Sequence, residues 1–417
     1  MKLIKKINLL LLIMPLLAYS QNIQYARYII DTLASPYLCG RYYINNSDLK
    51  AAKFIVSELK KDYIKPFTND FFQYFIIPSV NIFPQTPVVK INNKQLNAGS
   101  DYILAGYSGS LKGTFYIKKL RKKHFKHKIK TFPNKFLYIP IKFFKNQKNA
   151  KKLWELIYNN AFKVKGYIVE TDKMMFIPSM EHKNFVVIIV KKGILKKIKK
   201  ISVNIQSQLI KNYKTQNIAA YLKGEKDTFI VLTAHYDHIG CLGKNAVFTG
   251  AHDNASGVAM LLDFAKELSN RKCKPKYSIA FIFFSGEELG LLGSYYYVYH
   301  PLFPLNKIKF LINLDLMGTG DEGVQVVNST IYKKQYQMLQ NINNKYHLLP
   351  QIKKRGAARN SDHYPFYEKG VPDFFFYTLG KYKQIHNIYD TRENIPLSAY
   401  NNVYRLIDNF IKQLENN

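Results

Sequence analysis

The chain has 417 residues, 47% of them apolar and 15% aromatic, enough for a full hydrophobic core, and its 62 Lys and Arg against 28 Asp and Glu leave a net charge of +34. No zinc-finger, helix-turn-helix or glycine-rich phosphate loop accompanies the lysines, so the charge reads as a compositional habit and no nucleic-acid partner is expected. The three cysteines, Cys39, Cys241 and Cys273, are odd in number and widely spaced; they argue against a disulfide framework or a cysteine zinc site and leave room for one bridge in an oxidising compartment.

In chain order, residues 1–20 carry Lys2, Lys5 and Lys6, an apolar run from Ile7 to Leu17, then Ala18-Tyr19-Ser20. This is the pattern of a secretory signal peptide cleaved before Gln21, and the run is short for a membrane span. No later segment matches it without charge, so no stable membrane insertion is expected and the mature chain is placed in the periplasm or outside the cell. Residues 21–97 read as the helical entry of a catalytic domain, with helices at 25–35 and 47–61 and a strand at 70–77.

Residues 98–212 differ in character. The stretch 111–200 holds 25 Lys and Arg against 4 Asp and Glu, an excess of +21, yet strand-like runs at 114–117, 136–141, 166–169 and 185–190 and a helix at 149–162 mark it as folded. We read it as a basic, β-rich insertion domain.

From 213 to 417, strands at 217–222, 229–233, 279–284, 309–314 and 373–378 alternate with helices at 255–268, 289–299, 333–346 and 398–414. The fold class is therefore α/β, a mostly parallel mixed sheet sandwiched by helices. Three of the strands release acidic or imidazole groups at one end: His235 and Asp237 after the first, Glu287 and Glu288 after the second, Asp315 after the third. Ligands of open α/β sheets bind at that end, and Asp253 opens the helix at 255–268, whose positive end favours a carboxylate.

His-Tyr-Asp-His at 235–238, Gly-Ala-His-Asp-Asn-Ala-Ser-Gly at 250–257, Ser-Gly-Glu-Glu-Leu-Gly-Leu-Leu-Gly-Ser at 285–294, Asn-Leu-Asp at 313–315, Ser-Asp-His at 361–363 and His386 before Tyr-Asp-Thr follow one another in a telling order. Together they resemble the co-catalytic zinc aminopeptidases related to bacterial leucyl aminopeptidase and glutamate carboxypeptidase II; the insertion resembles a protease-associated domain. The resemblance implies an exported exopeptidase acting on the N-termini of peptides, with two Zn2+ ions. It implies Asp253 as the bridging ligand, His235 and Asp315 completing one metal site, and Glu288 and His386 the other. Glu287 is then the general base and Asp237 a partner of the His235 ring, fixing its tautomer. A cis peptide between Asp253 and Asn254 is also implied.

Asp362 and His363 are expected at the substrate side or behind the ligands, His238 and His252 beside the site by sequence only, and Cys241 and Cys273 as buried thiols. His252 stands where the family commonly has Asp, and Ile385 where a Tyr often precedes the last His. The alternatives are a glutaminyl cyclase-like single-zinc enzyme and a catalytically inactive binding protein of the same fold; His235 and the complete ligand set argue against them.

Overall fold

The computed structural model describes residues 23–124, 129–195 and 198–416, so the expected signal peptide lies outside the described residues. Two sheets organise these residues. In the nine-stranded sheet, Tyr277–Phe284, Lys226–His235, Ile308–Leu314 and Asp373–Leu379 are neighbours in that order and parallel. Gln208–Leu222 flanks them antiparallel on one side, pairing in turn with Phe72–Ile82, and Gly323–Val327 flanks them antiparallel on the other.

The central strands are apolar throughout because both of their faces are covered. Ile230 and Leu232 point into one core with residues of the helices 23–33, Ser47–Lys61, Ser256–Ser269, Lys333–Tyr346 and Tyr400–Asn416. Phe229 and Val231, one residue out of phase, point into the other core with Tyr297, Val298 and Phe366. This parallel register brings the ends of three strands together: His235 lies opposite Phe284, and Thr233 opposite Asn313. The α/β sandwich read from the sequence is the fold observed.

The second sheet has eight strands, from Val88–Ile91 to Lys200–Ile205, with a parallel centre and the helix Gln147–Tyr158 on one side. Its limits differ from the 98–212 reading. Val88–Ile91 and Lys94–Gln95 already belong to it, since Val88–Ile91 pairs with Lys200–Ile205, while the strand beginning at Gln208 belongs to the first sheet. The change of composition near residue 98 therefore falls inside the second sheet and does not mark its edge. Among the described residues, no helix is long and apolar enough to cross a membrane.

Candidate metal centre

His235 ends its strand, and Asp253 sits in a tight turn, Ala251–Ala255, ahead of the helix Ser256–Ser269. Gly250 enters that turn with φ +63°, where a Cβ would lie 2.2 Å from the Asp253 carbonyl oxygen and 2.4 Å from the His238 ring; only glycine fits. The Asp253–Asn254 peptide is cis. Asn254 ties the turn to the next strand end: its Nδ2 donates to Leu314 O, and its Oδ1 accepts from Gly257 N and Leu316 N.

Asp253 is shared by two sets of donors. On one side His235 Nε2 is 3.4 Å from both Asp253 Oδ1 and Asp315 Oδ1. On the other, His386 Nε2 is 3.0 Å from both Asp253 Oδ2 and Glu288 Oε2. In each set the donor atoms lie within 4.8 Å of one another. A tetrahedral zinc with ligand bonds of about 2.0–2.1 Å separates its donors by roughly 3.3 Å, so both sets fit a zinc-sized cation. Asp315 Oδ1 and His386 Nδ1 are buried without a hydrogen-bond partner among the described residues, as is His238 Nε2.

The electrostatics point the same way. Burial opposes protonation of His386, yet Glu288 and Asp253 outweigh it and push the imidazole up to about 11. His235 is likewise pushed well above its ordinary value, burial being outweighed by Asp315 and Glu287. Burial also opposes the charge of Asp253, but His386, His238 and His235 hold its carboxyl well below the usual range. Carboxylates so crowded draw cations.

Glu287 lies outside both sets. Burial pushes its carboxyl well above the usual range; His235 opposes this, and Glu288, Asp362 and Asp315 reinforce it. Its backbone N–H donates to Asp237 Oδ1, and Tyr43 donates its hydroxyl to Asp237 Oδ2. The expected contact of the Asp237 carboxylate with the His235 ring is corrected here. His235 Nδ1 is 3.1 Å from the Asp237 backbone carbonyl and 3.8 Å from its carboxylate, which is engaged elsewhere.

His238, expected near the site by sequence only, belongs to it: Nδ1 is 2.8 Å from Glu288 Oε1 and 3.9 Å from Asp253 Oδ1. His252 does not join the donors; its Nδ1 accepts from Gly318 N, and burial lowers it to about 4, leaving it neutral. In the Ser-Asp-His motif it is Ser361 that touches a donor. Thr233 donates to Asn313 Oδ1, Asn313 Nδ2 to Ser361 Oγ, and Ser361 to Asp315 Oδ2, a one-way chain that aims the carboxylate. Asp362 instead accepts from Ser294, with its carboxyl pushed up to about 7 by burial, and the His363 ring stacks on Phe375.

Two residues behind the donors had no role assigned from the sequence. Asp390 accepts from the backbone N–H groups of His252 and Asp253, while buried Arg41 donates to the carbonyls of Gly250 and Asp253. The cysteine reading also changes: Cys39 and Cys241 form a disulfide, and Cys273 is exposed. A cavity of about 460 Å³ opens over the donors, lined by Asp253, Glu287, Glu288, Asp315 and His386 together with Arg359 and Asn360.

Residues 217–411 match the family described as peptidase family M28. The match takes in just under half of the chain. By sequence, the chain is 31% identical over 166 residues to aminopeptidase YwaD of Bacillus subtilis, and 31% identical over 159 residues to leupeptin-inactivating enzyme 1 of Streptomyces exfoliatus. These matches take in 38% and 37% of this chain and only 35% and 34% of those proteins. A solved zinc aminopeptidase from Bacillus subtilis superposes with a TM-score of 0.68 over 94% of both chains at 21% identity, a likeness of fold. All the donor residues lie inside the matched stretch, residues 217–411.

Proposed function

We propose that the protein is an exported, zinc-dependent exopeptidase of the aminopeptidase type, removing N-terminal residues from peptides. The observation that carries this reading is the pair of donor sets sharing one carboxylate, Asp253, with Glu287 beside them and outside both. His235, Asp253 and Asp315 would hold one zinc, and Asp253, Glu288 and His386 the other, with His238 steadying Glu288. Two zinc ions, when bound, supply Lewis acidity: they lower the pKa of water and polarise the scissile carbonyl.

The remaining chemistry belongs to the chain. Glu287 takes a proton from the attacking water and returns it to the leaving amine; its raised proton affinity suits both halves of that task. Asp237 holds the backbone of Glu287 and, through its own carbonyl, orients His235. The size of the cavity suits the end of a peptide chain. The name of one relative, an aminopeptidase, supports the same class.

Glu287→Gln tests the assignment, since Gln keeps the shape and removes the base. The expected result is unchanged zinc content with a fall in kcat of roughly 10²-fold or more. Activity near the wild-type level would overturn the role of Glu287, and loss of zinc would mean that Glu287 and Glu288 exchange roles.

A further inference from the structure

His386 reaches the metal centre from a loop, residues 380–390, that the second sheet touches directly. Phe176, in the connection between the strands Gly166–Thr171 and Val186–Lys191, donates its backbone N–H to His386 O at 2.9 Å. Among the described residues, this is the backbone hydrogen bond that joins 383–389 to another segment. The Phe176 ring is 3% exposed and stacks on Phe248 at 5.0 Å, two residues before Gly250. Two residues beyond His386, Ile388 packs against the core of the second sheet, its side chain seated on Gly99 so closely that a Cβ there would lie 2.7 Å from Ile388 Cγ2.

His386 itself has φ +55°, the left-handed region, which a non-glycine residue keeps only where surrounding contacts hold it. At His386 and Ile388 the holding contacts come from the insertion side, while the end of the loop is tied to the catalytic part, Asp390 O accepting from Ala251 N and Thr249 Oγ1. That core is a joint one, combining Phe136, Ile188 and Val203 of the second sheet with Ile239, Leu242 and Phe248 of the catalytic part.

We infer that the insertion is a positioning element of the metal centre: Phe176 and the seat of Ile388 set the backbone of His386 and thereby the affinity of the metal half completed by His386 and Glu288. The inference rests on the two-metal reading of the site. It gives the insertion a part in metal binding that its sequence, read as a basic domain, did not suggest. Groups that orient a metal ligand from behind typically contribute 10–100-fold in affinity.

Phe176→Ala and Ile388→Ala test it, with Leu153→Ala as control, because Leu153 is buried in a separate core of the insertion. Each zinc-free protein is checked for folding by circular dichroism, titrated with zinc, and followed by hydrogen exchange over residues 383–389. Both test variants should bind one of the two zinc ions at least 10-fold more weakly, leave the other unchanged, and exchange faster over 383–389; Leu153→Ala should do none of these. Ile388→Ala, at a partly buried side chain, keeps the test available if Phe176→Ala does not fold. Folded variants with two unchanged zinc affinities, or with both weakened alike, would overturn the inference. A wild-type chain binding fewer than two zinc ions contradicts the two-metal reading. In that event exchange in the zinc-free proteins still decides the brace: unchanged rates over 383–389 overturn it.

Discussion

Arg41 is fully buried and donates five hydrogen bonds, all to backbone carbonyls: Leu33, Tyr236, Thr249, Gly250 and Asp253. Burial lowers its guanidinium to about 10 against the pull of Asp253 and Asp390, so it stays charged at neutral pH. Lysine offers three donors from one point and cannot serve five divergent carbonyls. Arg41→Lys should therefore cost about 2–5 kcal/mol through carbonyls left unpaired, read as a lower urea midpoint; an unchanged midpoint would remove Arg41 from the frame of the site. This residue shows where sequence reading stops. His235, Asp253, Glu288 and Asp315 were legible because each follows an apolar strand or precedes an apolar helix, and loop-borne His386 because it lies in a motif, ahead of Tyr-Asp-Thr. Arg41 and Asp390 act on backbone atoms, which have no signature in side-chain order. His238 sits in a visible His-x-x-His pair with His235, but spacing does not say which ring meets Glu288.

At the scale of elements, the helix Ser256–Ser269, which follows Asp253, packs against Tyr400–Asn416 through a buried carboxyl. Asp263 is 1% exposed, accepts from the Tyr400 hydroxyl, and is pushed up to about 8 by burial, then by Glu267. The folded chain thus holds a proton that the unfolded chain releases near pH 4, about 3.9 for a free Asp. Unfolding releases that proton between the two values, so this contribution to stability is complete below the lower one and is lost as pH rises through the higher. Asp263→Asn should flatten the decline, so that the Tm difference from wild type shifts in favour of the variant between pH 5 and pH 8. A constant difference would mean that Asp263 is ionised in the fold. The long apolar strands and the helices at 47–61 and 333–346 were legible because periodicity and length agree there. Gly323–Val327 and Ile352–Lys354 were not, being strands of only five and three residues near the sheet margin, too short for a period to show.

Across the whole molecule, residues 111–200 carry an excess of +21, and their described part forms a unit that touches the metal-ligand loop through Phe176. A positive domain so placed should hasten capture of acidic peptides, and with a Debye length of about 10 Å at 0.1 M salt the effect should fade as ionic strength rises. kcat/KM for acidic peptides should fall with salt while that for neutral ones changes little; equal dependence would leave the charge without a role in capture. The central claim is that two zinc ions on Asp253 cleave the end of a peptide that has a free amine. It is tested most directly by adding zinc to the zinc-free chain while following hydrolysis of one peptide with a free N-terminus and of its N-acetylated form. The account predicts saturation at two zinc ions per chain, with activity rising as both sites fill and confined to the free-amine peptide. Saturation at one zinc, or equal cleavage of the blocked peptide, would contradict it.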